Sequence, residues 1–556
     1  MKKTKKQQEF HFHFTDLIPR DVWDLSLLAA YFLLFPVLLI LIANQFNYWD
    51  GVLTERLFLY FLFLMIGAVG TKVCRKILMI SMLVLFWIWD CADLFCFLQL
   101  KTQIEPVFLR LLETTNPNEC GGFLKHTLFR WSNLILLFYP LCGIGIWLFA
   151  KKYRSFLLPA AGLLLIGGSF LLFDIAPAHN GITRNLYERI DQTLDQYAED
   201  ELKATLLELA NSDLNVSASE KDMTMILVIG ESHSKGHSSL YGYTRETNPL
   251  LKKRAENGEL TVFTDVVAPH SFTMYSVPKM LTFAAHDVQE SFLEVPNIFD
   301  LAKSAGFKTF WLCNHPAMSD QNMPYAVITE RADVIHHSST GNVQKSDEAL
   351  FPAYQSALDD PAPRKLIVLQ LIGSHHDYEQ TYPETAAIFP LDSGAAHFNE
   401  EQKKHRKMVN AYDNSIRYND FILDELIRKF AGTGRKGFLL YLPDHGENLY
   451  EQPGMVMHME FMPTLQSVEI PMYLYLSKDH PDKTIAPAVR NRPFASEDLP
   501  YLLLHLGRLH YPGADMKKSL FAPGFQPKKR IVSGCSVDYD KLKRDGHGNL
   551  TNETLK

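Results

Sequence analysis

At 556 residues the chain has room for more than one domain, and its formal net charge of −7 lacks the basic excess that a nucleic-acid partner requires. Seven cysteines at this length are too few and too scattered for a disulfide framework, although Cys313 and Cys535 could form one bridge in an oxidising compartment.

The composition changes near residue 175. Before it, apolar runs occupy 25–43, 53–71, 77–98, 134–150 and 156–173, each near the ~20 residues that a helix needs to cross a bilayer. Basic residues gather before the first run (Lys2, Lys3, Lys5, Lys6, Arg20), between the second and third (Lys72, Arg75, Lys76) and between the fourth and fifth (Lys151, Lys152, Arg154). Positive charge stays inside, so the amino terminus is expected in the cytoplasm. Five crossings then put the carboxyl-terminal part of the chain outside, which in a Gram-negative bacterium is the periplasm. The first run is long, contains Pro36 and precedes no small-residue cleavage site, which marks an anchor and not a signal peptide.

Residues 1–180 therefore read as a transmembrane module of five helices. Residues 181–215 read as an amphipathic linking helix, with Leu186, Ile190, Leu194, Tyr197, Leu202, Leu206 and Leu209 at helical spacing among charges. Residues 216–556 read as a globular catalytic domain large enough for its own core.

Within that domain, strand-like runs at 225–230, 307–312, 365–371, 438–442 and 470–476 alternate with helical patterns such as 298–305 and 407–430. Alternation of this kind predicts an α/β/α domain with a mainly parallel sheet and helices on both faces. In such sheets ligands bind at the carboxyl ends of the strands. Two runs stop abruptly at metal-ligand residue types: 225–230 at Glu231, and 438–442 at Asp444 and His445. Two carboxylates and an imidazole suit zinc or manganese. His375 follows a third strand end, and His458 lies downstream.

The segment 269–278 offers Ser271, Thr273 and Ser276 as nucleophiles, whose hydroxyls attack only when a base or metal ion stabilises the alkoxide. The alternative is a turn in which serine and threonine cap a helix.

Taken together, six blocks are similar to the bacterial phosphoethanolamine transferases that modify lipopolysaccharide: Gly230-Glu231-Ser232, the run from Ser239 to Pro249, the run from Thr273 to Pro278, Gly373-Ser374-His375, Tyr412-Asp413-Asn414, and Asp444-His445-Gly446-Glu447. Their order and the five-helix module both match. The resemblance implies an alkaline-phosphatase/sulfatase-like domain and a zinc ion held by Glu231, Asp444, His445 and Thr273. Thr273 would also be the nucleophile that carries a covalent phosphoryl intermediate, with His375 and His458 placed to contact the phosphoryl group. It implies phosphatidylethanolamine as donor and lipopolysaccharide as acceptor, at a core sugar or a lipid A phosphate. The outer loop 114–119 resembles the family's headgroup motif, with Glu119 for the ammonium and Thr115 on the same face, although Leu111 stands where the family tends to carry asparagine. Few cysteines, and Ser232-His233-Ser234-Lys235 after Glu231, point toward the branch that acts on the oligosaccharide core.

Three other readings stand beside this one. A phosphoglycerol transferase drawing on phosphatidylglycerol has no use for Glu119. A phosphatase or sulfatase-like hydrolase needs no multi-helix anchor. A noncatalytic scaffold has no reason to keep Glu231, Thr273, Asp444 and His445 together.

Overall fold

The computed structural model describes residues 214–541, apart from 289–290, 316–324, 340–345, 452–455, 459, 461–462 and 534–536; earlier in the chain it describes one helix and a few single residues. Thr115, Glu119, Cys535, the linking segment 181–213 and most of the apolar runs lie outside the described residues. The chain divides into two compact units, Met1–Tyr197 and Ala198–Lys556.

In the first unit, helix α1 spans Lys72–Phe95. Met79, Leu83 and Phe86 recur at three- and four-residue steps and are buried, and the Phe86 ring lies 6.0 Å from that of Phe63. Ile77, Ile80, Val84, Leu85 and Ile88 are exposed on other faces of the same helix. Among the described residues no helix is long and apolar enough to cross a membrane.

The second unit runs, in chain order, through β1 (Met223–Gly230), α2 (Pro249–Glu256), β2 (Leu260–Phe263), α3 (Thr273–Leu281), α4 (Ile298–Ser304), β3 (Lys308–Cys313), β4 (Val334–His337), α5 (Phe351–Asp359), β5 (Arg364–Gln370), α6 (Arg406–Gly432), β6 (Gly437–Pro443), β7 (Met472–Leu476) and α7 (Leu499–Leu506). The strands form one seven-stranded sheet in the order β2-β7-β6-β1-β5-β3-β4. The sheet is mixed. Among these described strands only β7 runs against its neighbours, β2 and β6; every other pairing in the sheet is parallel.

β1 lies at the centre and all eight of its residues are buried, which is why its sequence, apart from Thr224, is apolar without alternation. Met225, Leu227 and Ile229 face a core shared with Val277 of α3, Phe299 of α4 and Leu502 of α7. Ile226 and Val228 face the opposite core, with Leu251 of α2, Tyr354 of α5 and Ile422 of α6. Helices thus cover both faces, and each fully buried aliphatic side chain along β1 contributes about 1.5–3 kcal/mol. Cys313, at the end of β3, is a buried free thiol whose Sγ lies 3.3 Å from Gln370 Oε1.

Candidate active site

Three adjacent strands at the middle of the sheet, β5, β1 and β6, deliver the polar residues expected from the sequence. Glu231 follows β1, Asp444 and His445 follow β6, and the turn to His375 follows β5. Ligand atoms of Glu231, Asp444 and His445 lie within 4.8 Å of one another, and all three residues are buried. Thr273 opens α3 beside them: its Oγ1 donates to Glu231 Oε2 at 3.2 Å and lies 3.5 Å from His445 Nε2. The capping alternative does not hold, because the N-cap of α3 is Phe272, with no side-chain bond. Ser276 instead ties α3 to the β6 loop, its hydroxyl donating to the Asp444 carbonyl at 2.6 Å.

The hydrogen bonds leave one lone pair of each ligand turned inward. Asp444 Oδ1 accepts from the amides of Ser232 and His445 at 3.2 and 2.7 Å, whereas the buried Oδ2 accepts no hydrogen bond. His445 Nδ1 donates to the Gly446 carbonyl at 2.8 Å, so the lone pair sits on Nε2, which lies 3.5 Å from both Glu231 Oε1 and Asp444 Oδ2. Burial, and then the charge of Asp444, push the Glu231 carboxyl well above the usual carboxylate range. Burial lowers the His445 pKa, keeping the ring neutral. Two carboxylates crowded in a dry site, an orphaned oxygen and an imidazole lone pair fit a bound cation, and oxygen with nitrogen donors suits zinc.

The backbone around Glu231 is held from three sides. Gly373 adopts φ +51° and packs so closely that a Cβ there would stand 2.8 Å from the Glu231 amide nitrogen. The Tyr412 hydroxyl accepts from Ser234 N at 2.8 Å and donates to Ser232 O at 2.6 Å, fixing the turn after Glu231. Next to it, Asp413 gathers His237 Nδ1, the Tyr243 hydroxyl and Arg245 at 2.7, 2.8 and 2.7 Å. The blocks around Tyr243 and Tyr412 therefore clamp the turn that follows Glu231.

Of the two expected phosphate-contacting histidines, His458 has its ring 4.2 Å from that of His445 and its Nδ1 3.4 Å from Glu447 Oε2. His375 sits with its ring 6.0 Å from that of His315, which in turn bonds the Leu371 carbonyl through Nε2. Glu447 has a role that the sequence did not disclose. It is fully buried, accepts from the Tyr378 hydroxyl at 3.1 Å and orients His458; burial lifts its pKa to about 7. Its place in the run Asp444-His445-Gly446-Glu447 was the available signal.

A mixed sheet covered on both faces, with this cluster at its carboxyl end, is the architecture of the alkaline-phosphatase-like enzymes, and the chain is a phosphotransferase of that class. It belongs to the sulfatase family, whose sequence signature matches residues 223–507. Among curated relatives, the phosphoethanolamine transferase EptC of Escherichia coli strain K12 is 29% identical over 505 residues, 83% of this chain and 85% of that protein. Among solved structures, the C-terminal periplasmic domain of Escherichia coli EptC in complex with Zn is 31% identical, with a TM-score of 0.56 over 60% of this chain and 98% of that one. The integral membrane lipooligosaccharide phosphoethanolamine transferase A of Neisseria meningitidis, 20% identical, shares the fold with a TM-score of 0.59 over 90% of this chain and 98% of that one.

Proposed function

We propose that the protein transfers phosphoethanolamine from phosphatidylethanolamine to lipopolysaccharide, at a core sugar or a lipid A phosphate, through a covalent phosphothreonine at Thr273. Thr273 Oγ1 stands 3.2 Å from Glu231 Oε2 and 3.5 Å from His445 Nε2, and that juxtaposition carries the proposal. Glu231, Asp444, His445 and the Thr273 hydroxyl would hold zinc, the metal in the solved EptC domain. A zinc ion there supplies charge that lowers the pKa of the hydroxyl and offsets the charge on a phosphate oxygen.

Thr273 Oγ1 attacks phosphorus in line, the bond from phosphorus to the diacylglycerol oxygen breaks, and that oxygen takes up a proton as diacylglycerol leaves. The acceptor oxygen then attacks the same phosphorus, gives up any proton it carries, and returns Thr273 to its hydroxyl form. His375 and His458 donate to the phosphoryl oxygens and carry the protons, with Glu447 fixing the His458 ring. The amino end of α3 adds positive partial charge beneath the same oxygens.

The donor is a lipid, and the rest of the chain suits it. We infer five membrane crossings within 1–180, a linking helix over 181–215 and a periplasmic catalytic domain over 216–556, anchored in a bacterial inner membrane. The exposed Ile77, Ile80, Val84, Leu85 and Ile88 on α1 support a lipid-facing surface. Thr115 and Glu119 would meet the ethanolamine headgroup.

Intact-mass spectrometry of the chain after incubation with zinc and phosphatidylethanolamine tests this directly. A phosphoethanolamine adduct on Thr273, absent in Thr273→Ala, is expected. An adduct from phosphatidylglycerol alone replaces this reading with phosphoglycerol transfer, and no adduct from either lipid defeats the covalent route.

A further inference from the structure

Thr273 is preceded by a loop that carries a second pair of imidazoles. His270 Nδ1 lies 2.6 Å from Glu460 Oε1, and His286 Nδ1 lies 2.7 Å from Glu497 Oε2. The two rings stack on each other, centroids 4.8 Å apart and planes 27° apart. Each carboxylate is fixed by further donors. Glu460 Oε2 accepts from the Ser271 amide at 2.9 Å, and Glu497 accepts from the His286 amide at 3.0 Å and pairs with Lys528 at 2.7 Å.

A carboxylate can only accept, so Nδ1 of each ring must carry the proton it shares. That fixes the tautomer and leaves the lone pair on Nε2 in the neutral ring. Both Nε2 atoms are buried and have no hydrogen-bond partner, and the His270 side chain is only 8% exposed. A buried imidazole nitrogen without a partner is destabilising, and here the omission occurs twice in neighbouring rings. Burial lowers the pKa of His270 in spite of Glu460, so its Nε2 stays a lone pair near neutral pH.

An imidazole whose Nδ1–H is bonded to a carboxylate while Nε2 faces inward is the usual arrangement of a metal-ligating histidine. Ring centroids 4.8 Å apart lie inside the roughly 6.4 Å that two imidazoles can span while both ligate one ion at about 2.0–2.1 Å. Charge permits it as well: Glu460, Glu497, Asp498 and Asp287 stand against Lys279, Lys518 and Lys528, and the Lys279 ammonium is already bonded to the Ala284 carbonyl.

We propose that His270 and His286 bind a second divalent ion of the zinc class through their Nε2 atoms, with water completing the coordination and Glu460 and Glu497 as the supporting carboxylates. This centre shares no residue with Glu231, Asp444 and His445. It joins the loop before Thr273 to the turn after α3, so its occupancy would steady both ends of the helix that presents the nucleophile.

The test is zinc stoichiometry of the full chain in detergent, loaded with zinc, freed of excess by gel filtration and measured by elemental mass spectrometry. Two ions per chain are expected, falling to one in His286→Ala and one in Glu231→Gln. Glu460→Gln keeps both imidazoles, so it covers the case in which His286→Ala fails to fold; competition with a chromophoric zinc chelator should show one class of site weakened by about 10–100-fold. A single ion in the wild type, or two ions with unchanged affinities in His286→Ala and Glu460→Gln, overturns the proposal and assigns the two nitrogens to a bridging water.

Discussion

Asp413→Asn probes the clamp behind the metal-site loop. Burial alone would drag the His237 pKa down, but the charge and hydrogen bond of Asp413, with Glu451 on the other ring nitrogen, outweigh it and lift the value to about 9. Measured from a solution value of about 6.5, at 1.36 kcal/mol per unit, the protonated ring stabilises the fold by roughly 3 kcal/mol. Because the folded-state pKa is the higher one, this stability is fully present below about pH 6.5 and is lost as the pH rises through about 9. Asparagine keeps the shape and removes the charge, leaving His237 and Arg245 facing a neutral amide. The variant should lose at least roughly 3 kcal/mol at pH 6, about 4 °C in Tm for a unit of this size, and the deficit should shrink by about that amount toward pH 10. Thermal unfolding of both chains in detergent at pH 6, 8 and 10 reads it. A deficit of equal size at all three values would refute the linkage and leave Asp413 a purely geometric support.

Gly373→Ala combines a positive φ with a Cβ 2.8 Å from the Glu231 amide, so zinc affinity should fall by about an order of magnitude and stability by about 1–2 kcal/mol; a chelator titration matching the wild type contradicts this. Tyr412→Phe strips the partner from the Ser234 amide and the Ser232 carbonyl, both buried, and should cost about 1–3 kcal/mol in chemical unfolding and slow adduct formation; an unchanged midpoint would mean that water replaces the hydroxyl. Glu119→Gln should weaken labelling from phosphatidylethanolamine while sparing any background from phosphatidylglycerol, and an equal loss with both lipids makes the residue structural.

The centre of the sheet was legible because chemistry and periodicity coincide there: β1 and β6 are buried on both faces, hence apolar apart from Thr224, and each stops at a candidate metal-ligating residue. The expected runs 307–312 and 365–371 match β3 and β5 to within a residue. The edges were not legible. β4 is largely exposed, with Val334 and Ile335 facing outward, and β2 is only four residues long, so neither produces a run that stands out from a loop. The direction of β7 was hidden too, since an apolar run reads the same in either sense. Long-range partners are the other blind spot. Glu460 and Glu497 reach His270 and His286 from 190 and 211 residues away, and nothing local to either histidine announces them.

The reversed β7 has a topological consequence. A parallel successor to β6 would oblige the chain to descend the full height of the sheet and re-enter from the far edge, consuming its residues in a covering helix. Because β7 is antiparallel, the chain that leaves β6 at Asp444 re-enters the sheet at Met472 from the same end, and the described residues between them include Glu447, His458 and Glu460. The described residues of this segment are tied down repeatedly: Gly446 N donates to the Ser467 carbonyl at 2.9 Å, Thr464 Oγ1 bonds the Asn448 side chain, Glu460 holds His270, and Leu449, Leu465 and Val468 are buried in apolar clusters. Replacements on its outer side leave strand register untouched, so the roof above Thr273 can vary while the sheet beneath keeps Glu231, Asp444 and His445 in place.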